Sequence, residues 1–492
     1  MPKQNYIQIN PETMKTSYLK IIAVLIMAQA LNISNMNAQN ERSMYYMRQI
    51  PQSSYGNPAF MPGFKFYLGV PVLSSTYLSY HNSGFNYKDA ITKRADDSLV
   101  FDQNKLLKAI GKNNDFGASS QVEFLAFGFK AGKSYLSFSL GFKEQSNFHY
   151  TKDLMTLLID GNAPFIGKTV EISGAKLYAI AYGEAALGFA REINSKLKVG
   201  ARLKYLYGAA AINSQNSKVT LTTDPVTYAL TAVSDIHVDY ATPTNDQNEF
   251  DPLKLTKNTG LAFDLGFDYK VNDKISVNAS LLDIGNITWN EKVSNFVSTT
   301  PNNSFTFNGV VINDLFSKNS SSDSTFNHLL DTLKNKFNVE ETHKSFKTGL
   351  VKRVNIGASW QFSNKNLAGI NIRNEFFAGS YNPSVTLSLN HQFGRILSGT
   401  VSYSYIDRSF TNIGAGFALN LGPFQIYGVV DNFIAPMQMQ TMQTINAQVG
   451  LNLVFGNTLK KTKKPKPEIM PVNQNPIPET TQNPIPGPTT KQ

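Results

Sequence analysis

The 492 residues carry 46 lysines and arginines against 35 acids, a formal charge of +11, with 41% hydrophobic residues and a mean hydropathy of −0.23. There is no cysteine, which excludes disulfides, thiolate metal sites, a cysteine nucleophile and a lipid-modified cysteine. No apolar run of about 18 residues follows the N-terminus, so no helical span is expected there.

In chain order, residues 1–38 read as a signal peptide. A short basic start, Met14 to Lys20, precedes the apolar run Ile21 to Leu31, and Ala38 offers a small residue for cleavage. The apolar core is eleven residues, too short to span a bilayer. Residues 1–13 fit poorly as a leader, which points to Met14 as the start of translation. Export without a lipid anchor or spanning helix leaves periplasm, outer membrane or medium. Residues 39–64 include Tyr55-Gly-Asn-Pro-Ala-Phe-Met-Pro-Gly63, whose Pro and Gly forbid regular pairing. They read either as a plug entering a lumen or as a periplasmic lead-in, the lead-in being the simpler reading.

Phe66 to Tyr80 reads as a hairpin interrupted at Pro71. Ile91 to Asn113, with Leu99, Leu106, Leu107 and Ile110 in helical spacing, reads as an excursion. Val122–Lys130 with Tyr135–Phe148, and Ala179–Ile193 with Leu197–Tyr207, read as strand pairs joined at short turns. Asp153 to Asp160 reads as a short helix between them. In the second pair Leu197, Val199, Ala201, Leu203 and Tyr205 alternate with Lys198, Gly200, Arg202 and Lys204. Three cations on one strand face are costly in lipid and easily hydrated in a wet lumen. Leu261–Tyr269 with Ile275–Leu281 repeats the pattern, setting Asp264 and Asp268 against Leu261, Phe263, Leu265 and Phe267. Lys198, Arg202, Lys204, Asp264 and Asp268 are therefore the candidate lumen-facing residues. Leu282 to Trp289 is expected to end its strand near a membrane interface.

Asn213–Asp251 is polar and reads as a long extracellular loop with some strand at its base, and Glu291–Lys347 reads as a second long insertion. The second holds a Ser/Asn-rich patch at Lys318–Ser324 and a helical candidate at His328–Lys336. From Val351 to Phe455 period-two patterning is continuous, clearest in the four runs between Ser384 and Phe433. The terminal strand, Ala447 to Phe455, is of the apolar-aromatic kind that outer-membrane assembly machinery recognises. Asn457–Gln492 is a basic tail that repeats Gln-Asn-Pro-Ile-Pro at 474–478 and 482–486. Its proline content precludes a packed core. The charge partitions as +2 over residues 1–38, +4 over the tail and +5 over the body.

The fold class is all-β: a transmembrane antiparallel barrel over 65–456, of roughly 14 strands of about 10 residues each, with helical and loop insertions. The expected location is the Gram-negative outer membrane after signal cleavage. Three short motifs carry a resemblance: Asn57-Pro58-Ala59, the run LLDIGNITW at 281–289, and LGPFQIYGVVDNF at 421–433. With them the mature chain up to about Phe455, the Pro-rich tail excluded, resembles an uncharacterised family of Bacteroidota outer-membrane β-barrels, classed as a domain of unknown function. That family is distantly similar to FadL-type transporters and to barrels associated with type IX secretion. The resemblance implies a barrel and supplies no functional residues.

No catalytic, cofactor-binding or metal-ligating residue is predicted, and no cofactor. The six histidines, at 81, 149, 237, 328, 343 and 391, never take H-x-x-H spacing, and no G-x-S-x-G occurs. The chain reads as a non-enzyme. Without a basic stripe interleaved with aromatics, nucleic acid is not an expected partner. The expected partners are outer-membrane lipid and, through the tail and long loops, periplasmic or surface proteins. Two functions remain: a channel or transporter for small or hydrophobic ligands, and a structural or secretion-associated scaffold.

Overall fold

Short turns and strict alternation give the chain little choice but to form successive antiparallel neighbours. In the computed structural model the chain divides into two units, Met1–Asn457 and Thr458–Gln492. The described residues of the first are 42–172, 176–214, 217–242, 257–300, 303–307, 337–377, 380–406, 409–433, 440 and 443–456; of the second, 487. The expected signal peptide, the Ser/Asn-rich patch, the helical candidate at His328–Lys336 and nearly all of the tail lie outside them.

The elements run β1 (Phe66–Gly69), β2 (Thr76–Asn82), α1 (Tyr87–Ala90), β3 (Ile91–Lys93), β4 (Leu99–Phe101), α2 (Gln103–Ala109), β5 (Asn113–Ala131) and β6 (Ser134–Thr151). There follow α3 (Lys152–Asp160), β7 (Thr169–Glu171), β8 (Lys176–Glu192), β9 (Leu197–Asn213), β10 (Lys218–Thr223), β11 (Leu230–Asp235), β12 (His237–Ala241), β13 (Thr259–Lys270) and β14 (Ile275–Trp289). Then come β15 (Val293–Ser298), β16 (Asn303–Phe307), β17 (Val339–Thr342), β18 (Phe346–Gly349), β19 (Lys352–Ser363) and β20 (Asn366–Phe377). The last five are β21 (Ser380–Phe393), β22 (Leu397–Ile406), β23 (Ser409–Leu421), β24 (Phe424–Val430) and β25 (Thr444–Phe455).

Antiparallel pairing runs β5-β6-β8-β9-β13-β14-β19-β20-β21-β22-β23-β24-β25. The ring closes because β1 and β2 each pair with both β25 and β5. Counting β1 and β2 as one interrupted strand, this is a closed barrel of 14 strand positions. The hairpin expected over Phe66–Tyr80 does not form: its halves run the same way, in line, between the first and last long strands. Pro71, which lacks the N–H a ladder needs, sits in the break, and Val72 there takes φ 67°.

The barrel is inside out relative to a water-soluble protein. Leu187, Leu203, Leu261, Ile356, Leu387, Val401 and Phe417 stand exposed on its exterior, while Asn355, Asn371, Thr386, Ser404 and Asn452 are buried within. A ring-wide apolar surface of this kind has no stable place in water and suits lipid. At the short-turn end Phe66, Phe129, Tyr269, Trp360, Phe393, Phe424 and Phe455 form an exposed aromatic band. Trp289 is not part of such a band. It is fully buried, and its Nε1 donates to Thr348 Oγ1 at 2.9 Å. The residue expected near an interface instead fills the interior, because a register shift in the β13–β14 ladder reverses the alternation of β14 and leaves Trp289 on the inner face with Ile287.

The long strands, up to 19 residues in β5, exceed the 9–11 that cross a membrane and extend beyond it at the loop end. There the two insertions pair with one another. β7, β10, β11 and β16 make a separate four-stranded sheet, and β12, β15 and β17 add to the wall beyond β9.

Candidate functional site

Residues 42–64 run inside the barrel. The segment is a succession of tight turns and one short 3-10 helix, Pro51–Tyr55, as its Pro, Gly, Ser and Asn content dictates. Because it brings no sheet edge of its own, its polar groups are met by the wall. Asp431 accepts from the backbone N–H groups of Arg42 (3.1 Å) and Ser43 (2.8 Å), and the Arg42 guanidinium donates to Ser384 Oγ at 3.0 Å. Tyr45 donates to Asn278 Oδ1 at 2.9 Å and Tyr46 to the Ile370 carbonyl at 2.8 Å. Arg48 forms a two-pronged pair with Asp268 at 3.1 and 3.2 Å, its guanidinium lying 4.4 Å from the Phe60 ring centroid. Gln52 and Asn452 exchange hydrogen bonds at 2.9 and 3.0 Å.

The Asn57-Pro58-Ala59 motif has a steric partner. Asn57 Nδ2 donates to the carbonyls of Phe267 and Ala279, both at 3.2 Å, while its Oδ1 accepts from Ala59 N at 2.9 Å. These contacts need the wall to come close. A Cβ on Gly200 would stand 2.3 Å from the Pro58 carbonyl oxygen, and one on Gly266 2.2 Å from Asn57 Oδ1. The two neighbouring inner-face glycines of β9 and β13 are thus the seat of the motif.

About midway along the strands the inner wall carries a charge belt. Lys204 Nζ lies 2.7 Å from Asp264 and 4.0 Å from Glu184, and also meets Asp283. Arg353 pairs with Asp283, Lys143 with Glu184 at 2.8 Å, and Arg202 with Asp264 at 3.8 Å. Arg202 also donates to Ser139 Oγ at 2.9 Å and stacks 4.4 Å from the Tyr55 ring centroid. Tyr55 in turn donates to Glu123, which accepts from Ser74 at 2.7 Å. Buried charges persist only when paired and hydrogen-bonded, and here four cations pair with three carboxylates, Glu184, Asp264 and Asp283, while Glu123 beside them is held by hydroxyl and amide donors. Between them and Tyr55 lies a cavity of about 30 Å³, room for little more than water.

Asp283 reaches the belt through a register shift in the β13–β14 ladder between Phe263 and Leu265. It adopts φ 58°, a left-handed conformation costly for a residue with a Cβ. Its N–H donates to Asp264 Oδ1 at 2.7 Å. The bulge turns into the lumen a carboxylate that plain alternation would have aimed outward.

Toward the loop end the inner face becomes apolar. Tyr178, Ile180, Tyr182, Leu206, Ile287, Trp289 and Leu350 form one buried cluster.

Of the residues expected to face the lumen, Arg202, Lys204 and Asp264 come together in the belt. Asp268 stands apart, holding Arg48. Lys198 lies toward the short-turn end, 3.4 Å from Glu192. The belt members Lys143, Glu184 and Arg353 escaped the sequence reading; alternation in β6, β8 and β19 carries the signal for them. For Asp283 no such signal exists, since the bulge reverses its parity.

No curated protein is similar to the chain. Among solved structures, the Ralstonia pickettii toluene transporter TbuX is 11% identical with a TM-score of 0.41, covering 86% of this chain and 96% of that one. A Pseudomonas aeruginosa FadL homologue is 9% identical with a TM-score of 0.40, covering 86% of this chain and 100% of its own. The Pseudomonas putida toluene transporter TodX is 7% identical with a TM-score of 0.38, with the same two shares. These likenesses are too distant to carry a ligand or a mechanism across. A family model matches residues 58–431, most of the chain, and the protein belongs to the family it describes, the family of unknown function DUF5723.

Proposed function

We propose that the protein is an outer-membrane channel for small or hydrophobic ligands, closed at rest by its own residues 42–64. The observation that carries this is the way the segment is held. It joins no strand of the wall; side-chain hydrogen bonds and one two-pronged ion pair secure it. Such contacts can be exchanged for water or ligand one at a time, at about 1 kcal/mol each, without disturbing the barrel ladder. The mixed-sign belt and the apolar cluster above it give a passing ligand first a greasy and then a polar surface.

The test is conductance in planar bilayers. The wild-type chain should be nearly silent, and a variant lacking residues 42–64 should conduct steadily. If that variant retains the heat-dependent gel mobility of a closed barrel yet passes no current, the channel reading fails.

A further inference from the structure

A cavity of about 440 Å³ lies at the loop end against β12, β15 and β17, within the size range of small-molecule sites. The three strands pair in register. His237 stands opposite Val297 and Val297 opposite Glu340; Asp239 stands opposite Asn295 and Asn295 opposite Thr342. Because alternate residues share a face, one face carries His237, Asp239, Asn295, Val297, Glu340 and Thr342 together. Farther along the same face Ala241 and Val293 join the apolar cluster inside the barrel. The cavity is therefore a vestibule over the lumen.

Its polar groups are pre-oriented. Asn295 Nδ2 donates to Asp239 Oδ1 at 2.8 Å, and Asn295 Oδ1 accepts from Lys344 N at 2.7 Å and Thr342 Oγ1 at 3.4 Å. His237 Nε2 reaches the same Asp239 Oδ1 at 3.2 Å. Among the described residues nothing meets Asp239 Oδ2, so the carboxylate keeps an acceptor for a ligand. Ser298, Thr299, Lys344 and Ser345 complete a rim of donors and acceptors, and Phe346 contributes an aromatic ring, stacked on Trp289 at 6.0 Å between centroids. Two carboxylates, Asp239 and Glu340, stand against the Lys344 ammonium and His237, so the lining carries little net charge, which disfavours a strongly charged ligand.

We infer that this vestibule binds a neutral polyhydroxylated ligand, a mono- or disaccharide. Carboxylate and amide groups take adjacent hydroxyls as donor and acceptor pairs, and the aromatic ring covers the sugar's C–H face. The inference names a substrate class for the proposed channel and rests on that reading only for onward passage. Binding itself is read at equilibrium without a membrane, so a silent conductance trace leaves it standing.

The chain has two tryptophans. Trp360 is exposed on the exterior and Trp289 lies beneath Phe346. A Trp360→Phe protein, full length and held in an amine-oxide detergent free of sugar, makes Trp289 the sole reporter. Glucose, maltose and diglycine are titrated to roughly 50 mM, beyond the millimolar range of weak sites. The expected result is a saturable change in Trp289 emission with glucose or maltose, weakened tenfold or more by Glu340→Gln and by Thr342→Val. Both substitutions keep side-chain volume at partly exposed positions. No saturable response to either sugar, a response to diglycine alone, or sugar responses indifferent to both substitutions would each overturn the inference.

Discussion

Replacing Asn57 by alanine removes three hydrogen bonds at a fully buried position: two to the carbonyls of Phe267 and Ala279 and one from Ala59 N–H. Only the first two reach the wall, so at about 1 kcal/mol net for each the seating of the lumenal segment weakens by ~2 kcal/mol, roughly a 30-fold rise in its unseated population. The barrel ladder is untouched, since the two carbonyls keep their strand partners. Asn57→Ala should therefore retain heat-dependent gel mobility while showing frequent bilayer openings and faster proteolysis within 42–64. Gly200→Ala provides an independent route to the same state, because its Cβ would collide with the Pro58 carbonyl. If both variants are as silent and as protease-resistant as the wild type, the segment is not held by these contacts and the argument fails.

The pair Arg48–Asp268 is partly exposed on the arginine side, so a double-mutant cycle on segment release should give a coupling of only about 1 kcal/mol, diminishing with salt. Asp283→Ala strips Arg353 and Lys204 of a buried partner and should cost ~3–5 kcal/mol, read as a lower temperature for losing the fast gel form. Asp283→Gly should be milder by about 1 kcal/mol, because glycine accepts the left-handed backbone without strain; equal losses would remove the strain from the account. Trp289→Ala should cost ~3–5 kcal/mol as a cavity in a filled interior. Leu203→Arg, on the apolar exterior, should cost ~2–4 kcal/mol in bilayers and little in detergent, and an equal cost in both would place Leu203 away from lipid.

The wall was legible because its two faces differ in chemistry at every step. Leu197 to Tyr205 and Ser384 to Phe393 announce which residues meet lipid, and the inward parity of Arg202, Lys204 and Asp264 follows. What alternation conveys stops where the backbone breaks period two. Asp283 crosses to the lumen through a bulge, and the same bulge turns Trp289, which plain alternation would have aimed outward, into the interior. Phe66–Tyr80 shows the other limit: two short runs flanking a proline look the same whether they fold back on each other or continue in line. Only the partners decide, and β25 and β5 are far away in the chain. The contacts of Asn57 and Arg48 were hidden for the same reason, since they join an irregular segment to strands some 200 residues later.

The placing of β1 has a consequence for assembly. Phe66 pairs with Phe455 across 389 positions of sequence, and a contact so distant is slow to find. Only Lys65 separates this closing strand from the segment that occupies the interior. The ring therefore shuts around a chain already tethered at the seam, with β5, β13, β14, β21, β24 and β25 each offered a side chain to grip. The segment works as a mandrel: it gathers the strands that must meet before the seam is joined, and it rewards the one step whose entropy cost is greatest.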